Sequence, residues 1–371
     1  MKRVVSFILL TAMLVCSVVF LPSCSVNDSV DESALRGEYT RELEGTTLNV
    51  FNWGENISDG SEGSLSVTKA FEKLTGIKVN YTTYDDNESM YGKLQSGAVS
   101  YDIVIPSDYM IQRLIAEGLV QKVDMTKITN YQYIDDKYKG MYYDPNNEYS
   151  VPYTVGLVGL IYNTTMVEGT PDSWGIMWDE KYSGQILTFS NSRDAFGVAQ
   201  YYLGLSVNSL DKADWDMAAA KLKEQSPLLQ ARVMDQVFQK MEGGNAAIAP
   251  YYAGDFLTMQ SNNPDLEMVY PKEGTNIFVD AMCIPSNSKN VEAAHMFINF
   301  MLEEEVALAN AETICYASPN TLVTNNDNYS FKGNKYLYPD DEVIEKAQYF
   351  HNIDPEIRSY FEKLWDEVTL S

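Results

Sequence analysis

The 371-residue sequence predicts an α/β protein of two lobes, each an open, mostly parallel sheet flanked by helices. Three observations lead there. Strand-like and helix-like segments alternate through the first part of the body, the pattern of βαβ units. The body, about 325 residues once the N-terminal segments are set aside, is long enough for two hydrophobic cores. A second α/β run then begins after Val151-Pro152-Tyr153.

In order along the chain, Lys2 and Arg3, the apolar run Val4 to Phe20 and Leu21-Pro22-Ser23-Cys24 read as a signal peptide over residues 1–23. A basic start, an apolar stretch and a small residue before the cut define such a segment. The run is short for a spanning helix. Leu-Pro-Ser-Cys resembles a bacterial lipobox, which implies lipidation of Cys24, although Pro22 is unusual at its position; the other reading is a secreted protein without lipid. Residues 24–45 are polar and aperiodic, and are expected to form a flexible tether.

Thr47 to Asn52 is a strand ending in Trp53-Gly54-Glu55-Asn56, and Leu65 to Leu74 is a helix stopped by Gly76. Ile77, Val79 and Tyr81 alternate as the next strand, followed by a helix over Met90 to Ser96. Tyr101 to Pro106 is a continuous apolar run suited to a central parallel strand, and Ser107 leads into the helix Asp108 to Glu117. Ligands of such sheets sit at the carboxyl ends of strands, so Trp53, Ser107 and Tyr109 should meet at one crevice. In the second unit, strands are expected over Leu157 to Asn163, Gln185 to Phe189, Ala246 to Pro250 and around Phe278. Helices are expected over Ala195 to Leu203, Trp215 to Glu224, Val233 to Met241, Val291 to Leu302, Asp341 to Phe350 and Pro355 to Val368. Glu312 to Asn320 reads as a loop, and Trp174, Trp178, Trp215 and Trp365 are assigned to packing.

One residue stands out against this background. Asp280 is a lone carboxylate inside an otherwise apolar run, with Asn276-Ile277-Phe278-Val279 before it and Ala281 to Pro285 after it, and Lys272 and Lys289 lie beyond the run. A buried charge is costly unless something pairs with it. Either the partner is a cationic ligand boxed by rings such as Phe278, or Asp280 is a solvated or capping aspartate at a strand end. The overall charge favours a cation. Removing residues 1–23 takes Lys2 and Arg3 from the 27 basic side chains and leaves all 52 acidic ones, a formal charge of −27. Such a field repels nucleic acid and attracts small cations. Cys283 and Cys315, the thiols left after Cys24, exclude a disulfide scaffold, and spacing leaves their pairing open. His295 and His351 are the only histidines, so a histidine-rich metal centre is excluded and no cofactor is expected.

Several strings in a fixed order carry a resemblance over nearly all of the mature chain: Phe51-Asn52-Trp53, Thr75-Gly76-Ile77-Lys78-Val79, Asn87-Glu88-Ser89-Met90-Tyr91, Tyr101 to Ser107, Asp144-Pro145-Asn146-Asn147, Tyr270 to Gly274 and Ala311-Glu312-Thr313-Ile314. The sequence resembles the spermidine/putrescine-binding proteins of polyamine ABC importers, within the type II periplasmic-binding-protein fold. The resemblance implies lobes over residues 46–153 plus 280–322 and 154–279 plus 323–371, hinged near Pro152-Tyr153 and Asp280. It also implies a cleft whose rings cover ligand methylenes and whose carboxylates meet ammonium groups. Its ligand positions fall on Trp53, Glu55, Ser107, Tyr109, Asp194, Tyr252, Asp255, Phe278, Asp280 and Tyr316, with a C-terminal contact near Gln348 or His351. Glu55 and Tyr109 are similar to spermidine binders, Asp255 and Phe278 to putrescine binders, while Asn191 and Asn56 depart from the family. Both polyamines are therefore expected to bind. The implied partners are ABC permease subunits and, through Cys24, the outer face of the cell membrane, in a periplasmic space if the cell has one.

Two other functions compete. Tyr251-Tyr252 resembles the phenolate pair of ferric-iron binders on the same fold, although histidines are scarce. An enzyme is the third reading; no Gly-x-Ser-x-Gly, His-Glu-x-x-His or phosphate-loop string is present.

Overall fold

The computed structural model describes residues 26–371; the signal peptide and Cys24 lie outside the described residues. Ten strands run in chain order: β1 (Thr47–Trp53), β2 (Lys78–Tyr84), β3 (Ile103–Val104), β4 (Val120–Gln121), β5 (Ser150–Asn163), β6 (Ile186–Phe189), β7 (Leu229–Val233), β8 (Ile248–Tyr252), β9 (Leu266–Val269) and β10 (Ile277–Pro285). Hydrogen bonding links them in the order β2-β1-β3-β10-β5-β8-β6-β7, with β4 added to β10 and β9 to β5. The pairs β1–β2, β1–β3, β6–β7 and β6–β8 are parallel. The two halves of the sheet are therefore each a parallel set, joined by the antiparallel pair β5 and β10.

That pair is the spine. All 14 residues of β5 are buried, as are all 9 of β10, so neither strand shows the polar alternation of a half-exposed one. The strand expected over Leu157 to Asn163 is longer in the structure, where β5 begins at Ser150. The structure accommodates Pro152 at a register shift: Asp280 pairs with Thr154 and Ala281 with Pro152, so Tyr153 is the extra residue of a bulge. Both expected crossing points, Pro152-Tyr153 and Asp280, fall on this one irregularity.

Separate cores lie on either side. Val50, Phe71, Ile103, Met282 and Phe297 belong to the core under β1–β3. Leu160, Leu187, Ile248 and Phe256 belong to a second that continues beneath the junction. The C-terminal helix Pro355–Thr369 returns to the second half, where Phe361 stacks on Trp215 and meets Phe196 edge-on. Trp174 and Trp215 are fully buried and Trp178 stacks on Tyr202, as packing residues should.

Two expectations are corrected, and one helix lies where none was expected. Residues 26–45, read as a tether, lie along the first half instead. Glu303, 1% exposed, accepts from the backbone N–H of Arg36 and Gly37 at 2.9 and 2.8 Å, the Tyr39 hydroxyl at 2.6 Å and the Asn130 amide at 2.8 Å. Tyr39 also packs edge-on against Phe300. The segment's low hydrophobicity hid this, because its hold combines a buried carboxylate with only a few scattered apolar side chains, Val30, Tyr39 and Leu43, on the core. The loop read over Glu312 to Asn320 begins inside a helix, Glu304–Ile314, which ends where Cys315 takes a left-handed conformation (φ 58°). A further helix, Ala253–Asn262, follows β8 directly.

Candidate functional site

In both halves the carboxyl ends of the parallel strands face one cleft of about 860 Å³. From the first half come Trp53 and Glu55 after β1, Tyr84 to Glu88 after β2, and Ser107 to Tyr109 after β3. From the second come Asn191 to Asp194 after β6, Met234 and Asp235 after β7, and Tyr251 to Asp255 after β8. Helices begin at these same points. A helix N-terminus ordinarily favours an anion. Here Glu88, Asp108, Asp194 and Asp255 each occupy the first turn of their own helix. The chain thus answers its own dipoles, and the cleft it leaves is acidic.

Phe278 and Asp280 are two apart on β10 and share a face. That face looks into the cleft. Asp280 is 5% exposed and accepts from the Ser107 hydroxyl at 2.7 Å and the Thr154 hydroxyl at 3.1 Å. Asn87 in turn donates to Ser107 at 3.2 Å. Neutral hydroxyls offset only part of the desolvation, and burial pushes Asp280 up to about 7. The Phe278 ring meets Tyr252 edge-on at 5.4 Å and lies 6.3 Å from Tyr316. Tyr316 donates to Asp255 at 3.1 Å, and burial pushes Asp255 up to about 8, with Asp235, Glu55 and Asp280 adding like charge. Gly254 makes this possible: a Cβ there would lie 2.2 Å from the Tyr316 ring.

A second group of acids lies around Asp194. The Tyr252 hydroxyl donates to Asp194 at 2.7 Å and Asn191 at 2.8 Å, while the Asn191 side chain caps the helix by accepting from the Asp194 N–H. Tyr109 donates to Glu88 at 2.9 Å. Burial raises both acids, Glu88 to about 7. Trp53 and Tyr84 pack at 4.7 Å as a further wall.

The cleft holds nine carboxylates and one basic side chain, Arg193. Arg193 pairs with none of them. It is 2% exposed and donates to the Val207 carbonyl at 2.8 Å and Asn208 at 2.9 Å, with its guanidinium 4.3 Å from the Phe350 ring centre. Asn208 in turn holds the chain at Tyr349 and His351. Arg193 therefore fastens the C-terminal segment that carries Phe350 into the cleft. Lys272 is engaged elsewhere, with Asp172 at 3.1 Å.

All ten residues singled out in the sequence, Trp53, Glu55, Ser107, Tyr109, Asp194, Tyr252, Asp255, Phe278, Asp280 and Tyr316, line this one cleft. From the C-terminal segment, where a contact is expected near Gln348 or His351, the residue that lines the cleft is Phe350. Sequence reasoning also missed Glu88, Asp235 and Asn276, which line it too. For Glu88 a signal existed, an acid in the first helical turn after a strand. For Asp235 and Asn276, only the tertiary fold brings them in.

The two adjacent phenols of the iron reading diverge. Tyr252 serves Asp194, whereas Tyr251 stacks on Phe189 and turns its hydroxyl towards Asp235. Cys283 and Cys315 are free thiols, the first fully buried.

Comparisons with known proteins agree with this architecture. A spermidine/putrescine-binding periplasmic protein of Salmonella typhimurium is 35% identical over 326 residues, covering 86% of this chain and 91% of the relative. A solved chain from Listeria monocytogenes is 36% identical, with a TM-score of 0.83 over 88% of this chain and 99% of its own. The spermidine/putrescine ABC transporter substrate-binding protein PotD of Streptococcus pneumoniae is 33% identical, with a TM-score of 0.73 over 88% and 99%. A family model described as bacterial extracellular solute-binding protein matches residues 99–347. The chain belongs to that family of bacterial extracellular solute-binding proteins.

Proposed function

We propose that the protein captures putrescine and spermidine outside the cell and delivers them to the permease of an ABC transporter by closing its two lobes. The observation that carries this reading is a ring-walled cleft whose raised, desolvated carboxylates have no lysine or arginine partner. A polyamine is an apolar chain carrying positive charges. Rings bury its methylenes and attract its ammonium groups by about 0.5–2 kcal/mol each, and carboxylates fix its ends through charge-assisted hydrogen bonds. Relatives named for binding spermidine and putrescine support the ligand class. Trp53, Tyr109, Tyr252, Phe278 and Tyr316 supply the rings; Asp194, Asp255, Asp280 and Glu55 supply charge; Ser107 orients Asp280.

Capture and release need no nucleophile, and the protein is a transport component and not an enzyme in this reading. Cys24 carries the lipid that holds it at the membrane; among the described residues no helix is long and apolar enough to cross one. Ferric iron is not favoured, because both phenols of the tyrosine pair are committed to carboxylates on different elements.

A thermal-shift panel tests the assignment. Putrescine, cadaverine, spermidine and spermine should raise the melting temperature, and neutral sugars, acidic amino acids and ferric citrate should not. Stabilisation by iron alone, with a phenolate absorbance, would replace this function with the other.

A further inference from the structure

We propose that Asn276 is the residue by which the cleft recognises a primary ammonium end of its ligand, accepting a hydrogen bond from it beside Asp194. This rests on the polyamine reading and adds to it a preference for the substituent on the nitrogen.

Asn276 is 5% exposed and immediately precedes β10. Its backbone is fixed, since its carbonyl accepts from the Val158 N–H at 3.0 Å and the residue bridges to Gln348. Its side-chain carbonyl is buried and has no hydrogen-bond partner among the described residues. Buried polar atoms in native proteins almost always have a partner, so an orphan acceptor in a ligand cleft points to a donor that arrives with the ligand. The position supports this. Asn276 and Asp194 both line the main cleft and, with Phe350, a narrow recess next to it.

The count of acceptors then indicates which nitrogen is expected. Asp194 Oδ2 is taken by Tyr252 and Asn191, and Glu88 Oε1 by Tyr109. Asp194 Oδ1, Glu88 Oε2 and Asn276 Oδ1 accept no hydrogen bond among the described residues. A primary ammonium has three N–H bonds to place, a secondary one only two. Three open acceptors on one cleft match the three N–H bonds of a chain terminus in number; a secondary nitrogen, with one fewer, would satisfy the charged carboxylates first and leave the neutral amide of Asn276 unanswered.

The test compares spermidine with its analogue methylated on both terminal nitrogens, by calorimetric titration of the protein and of Asn276→Leu. The unaltered protein should prefer spermidine, and the variant should lose about ten-fold in affinity for spermidine while binding the analogue nearly as before. Asn276→Ala, with the same ratio of affinities, guards against a leucine that disturbs the strand. Equal weakening of both ligands, or of neither, would overturn the proposal. Failure of the unaltered protein to bind spermidine at all would instead overturn the polyamine reading.

Discussion

Replacing Asp280 by asparagine removes a charge while keeping the shape, and it separates binding from stability. In the empty protein Asp280 is 5% exposed and is answered only by the hydroxyls of Ser107 and Thr154. A neutral amide relieves that uncompensated burial, so the variant should melt at the same temperature as the parent or higher. Ligand binding should move the other way. Breaking a desolvated opposite-charge pair by removing one partner costs about 2–5 kcal/mol, a loss of about thirty-fold at the lower bound. Calorimetric titration with putrescine and spermidine, beside a melting curve without ligand, measures both quantities. Unchanged affinity would refute the assignment of Asp280 to an ammonium. A lower melting temperature together with weaker binding would mean that Asp280 is a structural residue whose loss disturbs the cleft.

Three further outcomes follow from the same geometry. Burial raises Asp255 to about 8 and Asp280 and Glu88 to about 7; the empty native state thus holds protons that an unfolded chain has lost. Its stability from these groups is complete below the ordinary carboxylate range and is lost as the pH rises through about 7–8, while polyamine affinity climbs over the same window. Binding should therefore release protons, seen as a heat that depends on buffer ionisation enthalpy, and a buffer-independent heat would contradict it. Gly254→Ala places a Cβ 2.2 Å from the Tyr316 ring and must displace that wall, so affinity should fall by about ten-fold with little change in melting temperature; unaltered affinity would show that Tyr316 does not touch the ligand. Glu303→Ala strands the donors of Arg36, Gly37, Tyr39 and Asn130, each buried unsatisfied donor costing about 1–3 kcal/mol. Proteolysis should then cut within residues 26–45 while polyamine affinity holds; resistance equal to the parent's would show that Glu303 does not fasten the segment.

Local chemistry made much of this fold legible. Alternating strands and helices, several of them closed by a glycine or opened by an acid, gave the order of β1 to β3 and their helices, although β3 is paired only over Ile103–Val104 of the apolar run Tyr101 to Pro106. Residues on strand carboxyl ends, such as Trp53, Ser107 and Tyr252, could be placed at a crevice because parallel sheets put them there. What was illegible depends on long-range partners. β5 runs through Pro152 because a bulge at its own Tyr153 lets it keep pairing with an uninterrupted β10. Residues 26–45 lie down because Glu303, 264 or more positions away, collects their donors. Arg193 could not be read as the fastening of Phe350, since its partners Val207 and Asn208 gather around it only in the folded chain. Asn276 looked like part of an apolar approach to Asp280, and its orphan carbonyl emerges only once every neighbour is in place.

The most direct test is a structure of the protein with spermidine bound. It should show one ammonium within about 3 Å of Asp280 or Asp255, another at Asp194, and the intervening methylenes against Phe278 and Tyr252. Density for the ligand outside the cleft, or Asp280 and Asp194 paired with a protein lysine or arginine when the lobes close, would contradict the account.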